Sequence, residues 1–109
     1  MNVTKGILFV ATEIVDYSPN SVISKAIYQK ATGSITIFAF DNGTTRTEKS
    51  VAFDTYIQII EGSAEMEMNG VSQMLGERMS IIVPAHTPVT IKAVNRFKML
   101  YIVIKSGYE

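Results

Sequence analysis

The 109-residue chain is predicted to be an all-β domain of the sandwich or barrel class. Three observations lead there. From Ala31 onward apolar and polar residues alternate almost everywhere, and β-branched and aromatic residues dominate these runs, the period-two signature of half-buried strands. Turn-forming clusters divide the runs at spacings of about 8–12 residues. No stretch reads as a helix.

Taken in order, residues 1–32 form an arm. It contains a Ser18-Pro19-Asn20 turn followed by "SVISKAIYQK", an ambiguous pattern compatible with an edge strand, and it is expected to pack on the barrel or on a partner subunit. The barrel proper is expected over 33–105. "GSITIFAF", Gly33 to Phe40, is a strand closed by Asp41-Asn42-Gly43, residues that tolerate left-handed backbone. "DTYIQIIEG" is a second strand, ended by Gly62, with Tyr56 and Gln58 on the face opposite Thr55 and Ile57. In "SAEMEMNGVSQML", Ala64, Met66 and Met68 share one face and Glu65 and Glu67 the other. Asn69-Gly70 then turns the chain back, the strongest short-range hairpin signal. "MSIIVP", "VTIKAV" and "FKMLYIVIK" follow as strands, separated by the Pro84 to Pro88 turn and by Asn95-Arg96; residues 106–109 read as a tail.

Composition narrows the function. One domain of this length builds one core. Ten Lys plus Arg balance ten Asp plus Glu, so the chain lacks the basic surface that nucleic acid or anionic lipid demands. With no cysteine, a disulfide framework, a thiolate metal site and a cysteine nucleophile are all absent. The opening apolar run, Ile7 to Ala11, is too short for a signal peptide or a membrane span, and a cytoplasmic protein is expected.

The stretch from Gly43 to Ala93 resembles the cupins, small double-stranded β-helix (jelly-roll) barrels with two motifs, G-x5-H-x-H-x3-E-x6-G and G-x5-P-x-G-x2-H-x3-N. Gly43 and Gly62 take the two glycines of the first. In the second, Arg78 stands at the first glycine, Pro84 at the proline and His86 at the next glycine. "IQIIEGSAEMEMNG" and "IKAVNRFKMLYIVIK" also resemble the phrasing of small single-domain cupins. The resemblance implies the jelly-roll fold and, by the family's habit, a homodimer.

The same register places Lys49, Val51, Thr55 and Val89 at the four metal-ligand positions of the family. None of these is an imidazole or carboxylate, so neither a metal nor any other cofactor is expected. The interior around Lys49, Val51, Thr55, Val89 and Met99 is then expected to be a mostly apolar pocket with one cationic end. Such a pocket suits a small anionic molecule with an apolar body, a carboxylate or a phosphate. Lys49 has a blander reading, a side chain reaching solvent or paired with Glu48 or Asp54. His86, the only histidine, reads either as an acid or base at the barrel mouth or as a turn residue between two prolines. Met66, Met68, Met79 and Met99 read as core before they read as a ligand cavity.

The expectation is therefore a small-molecule-binding domain without the usual metal site. Two alternatives stay open: a metal-independent enzyme, resembling cupin isomerases or epimerases, that uses Lys49 or His86 as acid or base, and a structural barrel filled by its own side chains.

Overall fold

The computed structural model describes residues 3–49 and 52–105. Nine strands form among them: β1 (Val22–Lys30), β2 (Gly33–Phe40), β3 (Thr45–Glu48), β4 (Asp54–Gly62), β5 (Ala64–Met68), β6 (Val71–Leu75), β7 (Ser80–Val83), β8 (Val89–Lys92) and β9 (Phe97–Ile104). The only helical segment among the described residues is one 3-10 turn, Ala11–Glu13. No helix there is long and apolar enough to cross a membrane.

The strands make two antiparallel sheets, a five-stranded one in the order β1-β2-β9-β4-β7 and a four-stranded one in the order β3-β8-β5-β6. They face each other as a jelly roll without closing into a continuous hydrogen-bonded barrel. β2 and β4 begin and end where the alternation and the turn residues put them. β5 and β6 join through Asn69 and Gly70, at φ 54° and 77°, the left-handed pair that a two-residue hairpin turn requires.

Register decides which side chains meet. Across the large sheet Phe40 stands opposite Phe97, Phe38 opposite Met99, Met99 opposite Ile59, and Tyr101 opposite Ile57, so one face carries Phe, Met, Ile and Tyr. Across the small sheet Met66 stands opposite Ile91 and Met68 opposite Val89. These faces meet in a single core, in which Phe40 and Phe97 stack with ring centroids 4.4 Å apart. Each such fully buried side chain contributes roughly 1.5–3 kcal/mol of transfer free energy.

A second, smaller core lies on the outer face of the large sheet. There Ile14 and Val15 of the arm cover Ile37 and Ala39, with Ala11, Tyr17, Ile60 and Leu100 around them. A polar cluster fastens the arm beside it. Lys98, only 6% exposed, donates to the Thr12 carbonyl at 2.5 Å, and the Tyr17 hydroxyl donates to Glu61 Oε2 at 2.5 Å. The Tyr17 ring lies against the Lys98 ammonium at 4.9 Å. Glu61 reaches this face because β4 shifts register between Ile59 and Glu61, which face Met99 and Lys98 respectively. One unpaired residue, Ile60, turns an odd-numbered side chain from inside to outside.

Met79 departs from the core reading. It is exposed, because it precedes β7, and its sulfur accepts the Gly76 amide at 3.2 Å.

Candidate functional site

The interior has two unlike ends. Toward Phe40 and Phe97 it is packed solid: Ile59, Met66, Ile91 and Met99 are fully buried against the stacked rings. Toward the end of β3 and the start of β4 it becomes polar. In the ladder between β3 and β8, Arg46 stands opposite Ile91 and Glu48 opposite Val89, and both of those partners are buried in the core. Directly opposite residues share a face, so Arg46 and Glu48 are the inward residues of β3.

Arg46 Nε donates to Glu48 Oε1 at 2.7 Å, and the guanidinium lies over the Phe38 ring at 5.0 Å. Phe38 in turn meets Tyr101 edge to face, with centroids 5.3 Å apart. Burial, and after it the Glu48 carboxylate, push the Tyr101 phenol above its ordinary value of 10.0, against the weaker opposite pulls of Thr55 and Arg46. At neutral pH Tyr101 therefore stands as a protonated donor.

Thr55 completes the group. It lies opposite Val83 and Val103 on the inner face, 2% exposed. Its Oγ1 is buried without a partner in hydrogen-bond geometry among the described residues, although the hydroxyl is near enough to Tyr101 to favour the ionised phenol slightly. Leaving such a group unpaired costs about 1–3 kcal/mol, so a site that keeps one offers it to something else.

The sequence-derived site residues divide accordingly. Thr55, Val89 and Met99 are on the inner face and buried, with Met99 deep in the packed part. Val51 lies outside the described residues. Lys49 is exposed, one residue beyond β3, and the inner position opposite Val89 belongs to Glu48. Counting by motif spacing thus ran one residue past the inward position, which Glu48 holds. The inward cation is Arg46, and it is already paired.

His86 is exposed and adopts φ 65°. It shares that left-handed backbone with Gly43 (76°), Gly62 (77°) and Arg78 (71°), so all four glycine positions of the two motifs keep the same conformation. At Gly62 the requirement is steric as well, since a Cβ would collide with the Arg96 carbonyl and with Phe97. Histidine in "VPAHTPV" holds a turn.

Arg46 was missed because "TRTE" has no apolar alternation. Its signal is the pairing with β8, which places Arg46 and Glu48 two residues apart on one face. The donor set does not fit a cupin metal: the inner positions supply one carboxylate already paired with arginine, two hydroxyls and no imidazole. Among the described residues no three His, Asp or Glu side chains gather in metal-binding proximity.

Comparison with solved structures identifies the architecture. A conserved protein of unknown function from Streptococcus pyogenes superposes with a TM-score of 0.87 at 26% identity, covering 96% of this chain and 92% of that one. A cupin superfamily protein from Desulfitobacterium hafniense gives 0.84 at 28% identity, covering 94% of each. A cupin 2 conserved barrel domain protein from Leptotrichia buccalis gives 0.81 at 24% identity, over 86% of this chain and 46% of that one. No family model matches the chain. No curated protein matches it either.

Proposed function

We propose that this cupin-fold chain is a small-molecule-binding protein whose ligand sits at the polar end of the interior, against Arg46, Glu48, Thr55 and Tyr101. The observation that carries this reading is the unpartnered, buried Thr55 hydroxyl beside a protonated tyrosine and an internally neutralised ion pair. The four groups offer donors (Tyr101, Thr55 and the remaining guanidinium N–H groups) and acceptors (the remaining carboxylate lone pairs) with no net charge. A neutral molecule bearing hydroxyl or carbonyl groups matches them, with Phe38 and Val89 as its apolar contacts. A carboxylate or phosphate would have to displace Glu48 from Arg46.

The test is a thermal-shift and calorimetric titration with monosaccharides and small hydroxyketones, and with benzoate as the anionic comparator. Neutral probes should stabilise the protein, and Thr55→Val should weaken their binding at least tenfold, since a site built to bond a hydroxyl loses heavily when that bond goes. Stabilisation by benzoate alone would replace the neutral ligand with an anion. A protein indifferent to every probe, in wild-type and variant form, would leave a structural barrel, a reading that the packed Phe40 and Phe97 end favours.

A further inference from the structure

A cavity of 550 Å³ lies outside the interior, between the arm and the hairpin of β1 and β2. The arm builds one wall. Val3 and Ala11 both pack on the small outer core, so residues 4–10 form a loop tied down at each end. Within it the Ile7 amide donates to the Thr4 carbonyl at 3.1 Å and Gly6 takes φ 82°, a tight turn with Lys5 at its corner. β1 builds the other wall. Its ladder with β2 shifts register between Ala26 and Tyr28, and this bulge lets the consecutive residues Ile27 and Tyr28 both line the cavity, with Ile35 opposite Tyr28.

The lining divides by chemistry. Ile7, Phe9, Ile27 and Ile35 make an apolar wall, and the exposure of Ile7 (66%) and Phe9 (43%) leaves much of it facing water. Lys5 and Lys30 make the polar end, their ammonium groups 5.5 and 5.7 Å from the centroid of the Tyr28 ring. Two cations thus gather about one ring, no more than about 11 Å apart, close to the Debye length of roughly 10 Å at 0.1 M salt. No Asp or Glu lines the cavity, and no ion pair joins either lysine to an acid among the described residues. The charge is gathered and left unanswered.

We infer that this cavity is a second ligand site, for a small amphiphilic anion: a carboxylate or alkyl phosphate head between Lys5 and Lys30, and an aliphatic tail against Ile7, Phe9, Ile27 and Ile35. Each half of the lining selects one half of that molecule. The head supplies the counter-charge that the lysine pair lacks, and the tail covers apolar side chains that water now meets. The volume agrees, falling within the range of about 300–1,000 Å³ usual for small-molecule sites. Because Lys5 rides on a loop and Lys30 on a strand, the anion would also tie the arm to β1. The cavity is on the outer face of the large sheet, so it stands independently of the ligand site proposed in the interior.

Calorimetry at low salt with octanoate should show one site per chain, with 1-octanol, the same tail without the charge, binding about tenfold more weakly. From hexanoate to decanoate the affinity should rise by roughly threefold for each added methylene. Lys5→Gln and Lys30→Gln should each weaken octanoate about fivefold or more with unchanged circular dichroism, and added salt should weaken it in the wild type alone. Amide NMR shifts on titration should fall on Gly6, Ile7, Tyr28 and Lys30, and Thr55→Val should leave octanoate affinity unchanged, which separates this site from the interior one. The inference is overturned if octanoate does not bind, if octanol binds as well as octanoate, or if the shifts fall on Arg46, Thr55 and Tyr101. Association with phosphatidylglycerol vesicles by a protein that ignores free octanoate also overturns it, since the loop would then serve a membrane surface.

Discussion

At one end of the interior Phe40 and Phe97 stack 4.4 Å apart, both fully buried, whereas at the other Arg46, Glu48 and Tyr101 replace them. The same two sheets build both ends, and the same strands, β2, β4 and β9, run from one to the other. What changes is only the inward residue at each step. Stability is concentrated where the steps are aromatic and aliphatic. Chemistry is available where they are polar, and there the fold retains a buried hydroxyl with no partner among the described residues, at its own cost.

The largest break in this contrast is Phe97→Ala. It empties the packed end and should destabilise by about 3–5 kcal/mol, read from urea unfolding, while the mouth residues stay in place. An effect below about 1 kcal/mol would show that the packed end is not the anchor.

Thr55→Val acts oppositely at the polar end. Replacing the unpartnered hydroxyl by a methyl of similar shape should raise ligand-free stability by about 1–2 kcal/mol. A loss of stability would mean that Thr55 Oγ1 is satisfied in solution, by water or otherwise.

Two of the non-glycine residues with left-handed backbone, Arg78 and His86, stand at glycine positions of the second motif. Arg78→Gly and His86→Gly should each stabilise by about 0.5–1 kcal/mol, the relief of the side chain's steric cost less the extra freedom of glycine in the unfolded chain. Destabilisation by either would assign its side chain a contact beyond the turn.

The smallest effect concerns pH. Just outside the stacked rings, Arg96 Nε donates to Asp41 Oδ1 at 2.7 Å and the Asn20 amide donates to Oδ2 at 2.7 Å, and these bonds hold the carboxyl below its ordinary value of 3.8. A depressed folded-state value means that the contribution is present above about pH 4 and is lost as pH falls toward the folded value. Asp41→Asn should therefore flatten the acid side of the stability profile and leave the profile above pH 6 parallel to the wild type.

Much of the fold was legible because burial writes itself as alternation. β2 and β4 end at Asp41 and Gly62, where the turn residues announce it, and the Asn69-Gly70 hairpin follows from two residues. The site was legible only in part. Thr55 and Val89 were placed inside correctly by motif spacing. β3 was not seen as a strand, since "TRTE" faces a polar mouth on one side and water on the other, and hydrophobic periodicity has nothing to register there. Without β3 the inward cation fell on Lys49 instead of Arg46.

The register shift at Ile60 has a consequence for how such chains change length. Thr55 and Gly62 both belong to the inner side although seven steps separate them, an odd number that plain alternation forbids. A motif spacing of six intervening residues is therefore a count of backbone that already contains one silent residue. Removing Ile60 would leave six steps, an even number, so Glu61 would stay outside at Tyr17 and Gly62 inside; what would be lost is the Ile60 side chain from the small outer core. Deletion of Ile60 should thus be retained in a library more often than a one-residue insertion beside it, which leaves two unpaired residues where the ladder with β9 has room for one. In this part of the molecule inheritance acts on length before it acts on composition.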